Sequence, residues 1–448
     1  MKLQKNTNFI IQFGLIIGLL IVTITNLKNV GIGFDQSDSP SYFNFDLINP
    51  LRMPIITFIY SKIYFLGGIV IVQNIISIFT WILLAVTIQK IFSKTYIKII
   101  SSLLIYSLAL SSQVQEHNYV ILSESFTISS SILIVSLLLL LFIQKGSNKS
   151  LFILVLSIIF FSGVKQSNNY FGLLILILVL IYLFKNRLFS LFKFVLILLT
   201  FPIMIILLFI GSKNLEIKSN LTLTTIIERT YDDYSARQYW KQEDFPQIAY
   251  QIYSGTPTKN PIDLLNENFL IKSWKQQASN YTIEMYAIKN PSFLLLAPLK
   301  PSFFISNFTD FESIINSLTI GTTYKEKNYF LNVKTNNSNP NFLENLRAFP
   351  NFFWPNKFLN EKTFMILFLS LLLISLSYLK INLNYLNKNI FNFILISILF
   401  ILLATWLNWH ITVTYELNRY LIPWAILLRI FSIITFMLVF ETFNKKNK

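Results

Sequence analysis

Long apolar stretches separated by short polar ones run through most of the chain. About 20 apolar residues cross the hydrocarbon core of a bilayer as a helix, so each long stretch predicts a membrane span. The predicted spans are Asn8–Leu27, Ile63–Gln89, Ile97–Ser112, Val120–Ile143, Leu151–Gly163, Phe171–Phe184, Leu191–Gly211, Thr363–Leu379, Ile390–Asn408 and Tyr420–Thr442. The pattern therefore predicts an all-α polytopic transmembrane bundle of about ten spans.

The longest polar stretch, 213–362, separates the seventh predicted span from the eighth. It is rich in Asn, Ser, Lys and Pro and has aromatic residues throughout. This composition indicates a mainly helical cap that lies on the membrane rather than a free domain. The predicted organisation is a transmembrane bundle at 1–212, the cap at 213–362 and further transmembrane helices at 363–448.

Composition agrees with a membrane protein. The 448 residues are 54% hydrophobic and only 13% charged, whereas a soluble domain has about 25% charged residues. The chain has no cysteine, which excludes disulfides and thiolate metal sites. Its bias towards Ile, Asn, Lys and Phe is typical of an AT-rich genome and favours the inner membrane of a bacterium.

The net charge of +16 is distributed unevenly. Ten spans put both termini on one side, where 15 basic residues stand against the single acid Glu441. The basic residues are Lys2, Lys5, Lys90, Lys94, Lys98, Lys145, Lys149, Lys185, Arg187, Lys193, Lys380, Lys388, Lys445, Lys446 and Lys448. An excess of Lys and Arg marks the cytoplasmic side, so both termini are predicted to be cytoplasmic.

The opposite side has no comparable excess of positive charge. Its short loops hold five basic and six acidic residues, and region 213–362 holds 16 basic and 14 acidic ones. The basic balance is thus a signal of topology, and nucleic-acid binding has no support.

Several ionisable residues fall at this predicted outer face. Asp35 and Asp38 lie in a Gly/Ser/Pro-rich loop after the first span, and Glu124 is expected one turn inside a span. Ionisable groups at membrane depth are costly and usually face an interior cavity. The set therefore indicates a polar cavity open to the outside. Arg429 lies near mid-span and is predicted to face the bundle interior.

Five segments, in this order along the chain, carry a resemblance to a known superfamily. They are Asp38-Ser39-Pro40-Ser41-Tyr42, Arg52-Met53-Pro54, Leu122-Ser123-Glu124-Ser125, Lys165, and Glu416-Leu417-Asn418-Arg419-Tyr420-Leu421-Ile422-Pro423. Together with the large late outer loop, the set resembles the GT-C glycosyltransferases. These are polytopic enzymes that use polyprenyl-phosphate-linked sugars, such as the mannosyltransferases and aminoarabinose transferases. The sequence departs from the family pattern in one respect: the first outer loop has two candidate acids, Asp35 and Asp38, where the family usually has one.

The resemblance implies transfer of a sugar, with inversion, from a polyprenyl-phosphate donor to an extracytoplasmic glycan, lipid or protein. A carboxylate suits the general base that the attacking hydroxyl needs, which nominates Asp38, with Asp35 second. The departing phosphate needs cations. The implied donor phosphate- and sugar-binding residues are Arg419, Lys165, Arg52, Glu124, Tyr420, Glu416 and His410.

Simpler structural roles remain open for the same residues. Asp38-Ser39-Pro40 could be a helix cap in a solvated turn, and Arg52 could be an interfacial anchor. His410 follows Trp406 and Trp409 at a span end, where belt residues are expected. Glu124 and Arg419 could each pair locally to stabilise the bundle.

Two other functions and a metal also stay open. An O-antigen polymerase or ligase has a large outer loop, but typically more spans and a basic loop, whereas this loop is nearly neutral. A lipid-linked-sugar transporter or flippase often has internal repeats and broken spans, which the sequence does not show. No cofactor is firmly implied, although Asp35, Asp38 and Glu124 could bind a divalent cation through oxygen ligands.

Overall fold

The computed structural model describes part of the chain, and structural statements concern that part. The described residues are 13, 14, 16–21, 23–24, 39–46, 52–63, 66–144, 146–188, 190–212, 223–228, 230, 234–255, 268–277, 282–296, 361–382, 388–411 and 417–446. Within these ranges the chain is helical between its connections and contains no strand. The prediction of an all-α protein is confirmed for them.

Helices in the first half of the chain are mostly long and apolar. After a 3-10 helix at Ser39–Tyr42, they are α1 Pro54–Lys62, α2 Leu66–Gln89, α3 Thr95–Ala109, α4 Ser112–Tyr119, α5 Glu124–Ile143, α6 Asn148–Val164, α7 Gln166–Lys185 and α8 Leu191–Ser212. The remaining ones are α9 Tyr234–Gln242, α10 Ile248–Gly255, α11 Phe269–Gln277, α12 Thr282–Lys289, α13 Pro291–Leu296, α14 Glu361–Ile381, α15 Lys388–Ile411 and α16 Leu417–Lys446.

Six helices are long and apolar enough to cross a membrane, within the described ranges. They are Gly67–Gln89, Glu124–Ile143, Gln166–Lys185, Leu191–Ile210, Lys388–Asn408 and Tyr420–Lys445. Three further predicted spans coincide with shorter apolar helices at Thr95–Ala109, Asn148–Val164 and Leu367–Ile381. The chain is thus consistent with an integral membrane protein, while the count of ten spans stays a prediction.

The described residues divide into two compact units. One comprises Met1–Gly211, Leu318–Leu402 and Ile422–Lys448, and the other comprises Ser212–Ser317 and Leu403–Leu421. We call them the bundle unit and the second unit.

Close helix packing in the bundle unit depends on glycine. α6 and α7 form a tight hairpin whose apex is the single extended residue Lys165. A Cβ added to Gly172 of α7 would lie 2.2 Å from the Ser162 Oγ, and one added to Gly163 would lie 2.2 Å from the Ile55 Cδ1 on α1. Small residues let helix backbones approach closely, so these glycines bring α1 and both arms of the hairpin together.

Helix α16 is the most buried of the six candidate spans, with 83% of its apolar window inside the fold. Arg429 on this helix is only 2% exposed, which confirms the prediction that it faces the interior. Near the helix end, the Glu441 carboxylate accepts a hydrogen bond of 2.9 Å from the Ser93 backbone N–H. It also lies 3.3 Å from the Lys445 Nζ. The last turns of α16 are therefore fastened to the connection between α2 and α3.

The second unit has an aromatic core. Trp240 is fully buried, with its ring centroid 4.8 Å from that of Tyr286. Phe245 packs on Trp274 at 4.9 Å and on Tyr250 at 5.4 Å. Stacked and edge-on aromatic pairs stabilise beyond the area that they bury, which explains how helices of six to nine residues can fold together.

Two sequence predictions concern helix boundaries in this unit. The sequence predicted a short amphipathic helix at Thr225–Trp240. Residues 225–228 and 230 are helical, and α9 covers Tyr234–Gln242. Pro291 was predicted to break the helical pattern, and α12 does end at Lys289, before Pro291 opens the separate helix α13. Proline is well tolerated in the first helical turn, where its missing N–H has no intrahelical partner to lose.

Candidate functional site

A short non-helical segment at 120–123 joins α4 to α5 and is wholly buried. Buried backbone carbonyls need hydrogen-bond donors, and here side chains from three separate elements supply them. The Ser39 Oγ donates to the Ile121 carbonyl at 2.8 Å, and the Tyr60 hydroxyl donates to the Leu122 carbonyl at 2.8 Å. The Gln73 Nε2 donates to the Val120 carbonyl at 3.1 Å. The segment is therefore held by the 3-10 helix, α1 and α2 together.

The 3-10 helix also links this segment to Arg52. The Tyr42 hydroxyl lies 3.2 Å from the Ser123 Oγ and donates to it. The Arg52 guanidinium lies over the Tyr42 ring, 5.0 Å from its centroid, and the Arg52 Nε donates to the Ser41 Oγ at 2.8 Å. A cation over an aromatic face is attracted by the ring quadrupole. Arg52 is thus oriented towards the 3-10 helix.

Glu124 is the first residue of α5 and forms an ion pair with Lys165. The Lys165 Nζ lies 2.9 Å from the Glu124 Oε1. The carboxylate is 1% exposed and the lysine side chain 13% exposed. A carboxylate in the first turn is favoured by the helix dipole, and the α6–α7 apex delivers the lysine. Glu124 is therefore the first residue of its helix, whereas the sequence predicted it one turn inside a membrane span.

Tyr60 of α1 connects the 120–123 segment to Gln73 of α2. Burial raises the pKa of its phenol well above the ordinary value, and negative charge on Tyr42 and Glu124 raises it further. The hydroxyl therefore stays protonated and acts as a donor to Leu122 while accepting from the Gln73 Nε2 at 3.0 Å. We call the whole set the Glu124 cluster; it consists of Ser39, Ser41, Tyr42, Arg52, Tyr60, Gln73, Ser123, Glu124 and Lys165.

A second polar network supports the cluster from behind. The Ser125 Oγ donates to the Asn118 Oδ1 at 2.7 Å, and the Asn118 Nδ2 donates to the Ser77 Oγ at 3.1 Å. All three residues are buried. Satisfied buried networks rigidify the elements that carry them, so α2, α4 and the start of α5 are fixed relative to one another.

The structure brings together the predicted site residues Arg52, Glu124 and Lys165, through direct contacts and the bridge made by Tyr42 and Ser123. Asp35, Asp38 and Glu416 lie outside the described residues. His410 and Arg419 belong to α15 and α16, but their side chains are outside the described set. Tyr420 is half-buried and belongs to the second unit.

Sequence reasoning missed the roles of Tyr60 and Gln73, and it quoted Tyr42 without giving it one. A signal was present for Gln73, which with Asn74 interrupts an otherwise apolar run. Tyr60 gave no such signal, because a tyrosine near a membrane face is ordinarily a belt residue.

The cluster offers two cationic groups and one carboxylate joined by hydrogen bonds. Arginine and lysine are suited to phosphate, and a carboxylate can accept hydrogen bonds from sugar hydroxyls. Among the described residues, no three His, Cys, Asp or Glu side chains lie close enough to hold a metal ion. A cation bound by Asp35, Asp38 and Glu124 stays a prediction, since two of these residues lie outside the described ranges.

Comparison of the chain with protein-family models, with curated proteins and with solved structures gives no match. The residues of the Glu124 cluster and the pattern of apolar helices therefore have to support any functional conclusion by themselves.

Proposed function

We propose that the chain is an integral-membrane glycosyltransferase of the GT-C type. It would transfer a sugar, with inversion, from a polyprenyl-phosphate donor to an extracytoplasmic glycan, lipid or protein. Apolar helices long enough to cross a bilayer support the membrane setting. The distribution of lysine and arginine supports cytoplasmic termini and an outward-facing site in a bacterial inner membrane.

The observation that carries the proposal is the convergence of four of the five resembling segments. Ser39–Tyr42, Arg52, Ser123–Glu124 and Lys165 are spread over more than 120 residues of sequence, yet contacts connect all of them. Packing alone does not require a buried carboxylate, a lysine and an arginine at neighbouring helix ends. Ionisable groups at membrane depth are usually functional.

The proposed chemistry assigns a role to each group. Asp38 would be the general base that takes the proton of the acceptor hydroxyl, with Asp35 as the second choice. Asp38 is bonded directly to Ser39, a member of the Glu124 cluster, which supports this choice. Arg419, Lys165 and Arg52 would stabilise the phosphate as it gathers negative charge.

Other predicted residues would act around this centre. Glu124 would orient Lys165 or accept hydrogen bonds from the sugar, and Tyr420, Glu416 and His410 would contribute to donor binding. The helical bundle would hold the isoprenoid tail, and region 213–362 would form an extracytoplasmic cap over the acceptor. The aromatic core of the second unit supports a cap with a folded structure of its own.

A transfer assay on the purified full chain in liposomes tests the proposal against transport. Undecaprenyl-phosphate-linked mannose and aminoarabinose, each radiolabelled in the sugar, would be supplied with a membrane-glycan extract as acceptor. We expect label to appear in a new glycosidic product. Movement of labelled donor between leaflets without a new bond would contradict the proposal and favour a flippase.

A further inference from the structure

An elongated cavity lies inside the bundle unit, with its polar end away from the Glu124 cluster. Its volume is about 250 Å³, and α5, α6, α7, α15 and α16 contribute to its wall. On α15 the lining residues run from Asn389 to Ile401 along one helix face, a length of about 18 Å at 1.5 Å per residue. This is close to half of the ~30 Å hydrocarbon core, the depth of one leaflet.

The wall of the cavity changes character along its length. Most of it is carbon, and at one end Phe400 and Trp424 pack edge-on with their ring centroids 5.9 Å apart. The other end carries a lysine and three amides, which are Lys185, Asn186, Asn389 and Asn392. An apolar channel with one polar, cationic end has the shape of an amphiphile.

The cavity also has access to the surroundings of the helices. Ile181 on α7 and Ile396 on α15 both line it and are 53% and 49% exposed. Both belong to helices long and apolar enough to cross a bilayer. An acyl chain can therefore enter sideways from the bilayer without crossing the protein.

Charge at the polar end favours an anionic headgroup. No acid occurs at 125–214 or 362–415, the stretches that contain α6, α7, α15 and most of α5. The one acid of α16, Glu441, is paired with Lys445 and does not line the cavity. Lys185 is the last residue of α7, and Asn186 follows it. The exposed Lys388 begins α15, next to Asn389. Each lysine near a membrane surface contributes about 1 kcal/mol to the free energy of binding anionic lipid.

The polar end is far from the proposed sugar-transfer site. α7 runs for 20 residues from beside Lys165 to Lys185, a distance of about 30 Å, or the full hydrocarbon thickness. A phosphate held at Lys165 cannot reach Lys185.

We infer that this cavity binds one acyl chain of an anionic phospholipid from the leaflet opposite the Glu124 cluster, with the headgroup held by Lys185 and the amides of Asn186, Asn389 and Asn392.

Native mass spectrometry of the purified, delipidated full chain tests the inference, independently of any sugar transfer. The probes are phosphatidylglycerol and phosphatidylcholine with identical acyl chains. We expect phosphatidylglycerol to bind more tightly and Lys185→Gln to weaken it about fivefold, the size of one lysine contact near a membrane. Lys149→Gln is the matched control, because Lys149 is exposed at the start of α6 and does not line the cavity; its affinity should equal that of the wild type.

Filling the cavity gives a second, independent arm. Leu178→Trp on α7 and Ser397→Phe on α15 both enlarge side chains that line the cavity. Each should abolish phosphatidylglycerol binding while the protein stays monodisperse in size-exclusion chromatography. Equal binding of the two phospholipids, or unchanged binding in both filled variants, would overturn the inference. Displacement of phosphatidylglycerol by undecaprenyl phosphate would also overturn it, because the cavity would then belong to the donor.

Discussion

At the scale of single residues, the Glu124–Lys165 pair shows how burial decides the importance of a contact. Exposed ion pairs contribute little, but this carboxylate is 1% exposed and its lysine 13%. Removing one member of a buried pair leaves an uncompensated charge, whereas removing both can be nearly neutral. The lysine has a path to solvent that the carboxylate lacks.

We therefore expect an asymmetric cost of mutation. Lys165→Met should destabilise the protein by about 3 kcal/mol, because it strands the buried Glu124 carboxylate. Glu124→Gln should cost clearly less, since a partly exposed lysine can turn towards water. Thermal unfolding of the purified variants in detergent measures both.

The double variant Glu124→Gln/Lys165→Met separates structure from function. Its stability should recover to near that of Glu124→Gln, while its sugar-transfer activity stays lost. Recovery of activity together with stability would reduce the pair to a packing device and remove it from the proposed site.

Two buried tyrosines predict a dependence on alkaline pH. Burial raises the pKa of Tyr60 well above its ordinary value and that of Tyr250 to about 12. The unfolded chain releases these protons near pH 10, so above that pH the native state binds more protons than the unfolded state. The free energy of unfolding should therefore fall as pH rises from about 10 to 12.

Tyrosine-to-phenylalanine variants test this dependence. Tyr60→Phe and Tyr250→Phe should each show a shallower loss of stability across that range, measured by chemical denaturation at successive pH values. Tyr234→Phe is the control, since Tyr234 is 69% exposed. A slope that is unchanged in both buried variants would contradict the expectation.

At the scale of elements, the approach of α1 to the α6–α7 hairpin depends on Gly163. Its missing Cβ makes room for Ile55, and α1 carries Tyr60 into the Glu124 cluster. Steric fit between these two elements thus positions a hydrogen bond that neither element could make by itself.

Gly163→Ala should destabilise the protein by about 1–3 kcal/mol through overpacking. Gly18→Ala is a matched control in an apolar helical stretch, because a Cβ there meets nothing within 4 Å; it should be neutral or stabilise by up to ~1 kcal/mol. Combining Gly163→Ala with Ile55→Ala should recover part of the loss in thermal unfolding. No recovery would mean that α1 is held by other contacts.

Sequence reasoning identified the elements better than their ends. Apolar runs predicted the long helices, because hydropathy is a property of each stretch. The span beginning at Phe171 was placed five residues too late, since α7 starts at Gln166. Asn168 and Asn169 looked like loop residues, but they are buried and donate to the Phe161 and Met204 carbonyls.

The candidate site was also predictable only in part, because the sequence shows the character of each residue but not its tertiary partners. Charged residues such as Glu124 and Lys165 stand out in an apolar chain, so the sequence nominated them. The tertiary hydrogen bonds that hold segment 120–123 join residues 47 to 82 positions apart. Pairings at that separation leave no periodic trace in one sequence, which is why Tyr60 and Gln73 were missed.

At the scale of the whole molecule, the lysine and arginine distribution predicts the membrane topology, and this prediction is directly testable. The chain contains no cysteine, so single cysteines can be introduced without removing others. Lys62→Cys and Tyr234→Cys, both at exposed positions, should react with a membrane-impermeant maleimide in intact cells. Lys149→Cys should react only after permeabilisation. The reverse pattern would put the Glu124 cluster on the cytoplasmic side.

The most direct measurement is sugar transfer by Asp38→Asn, compared with Asp35→Asn and the wild type at matched levels of membrane insertion. An amide keeps the size of the carboxylate but cannot accept a proton as a base. The account predicts that Asp38→Asn abolishes formation of the glycosidic product while insertion and thermal stability are retained. Full activity in both variants would contradict the assignment of the first outer loop as the catalytic base.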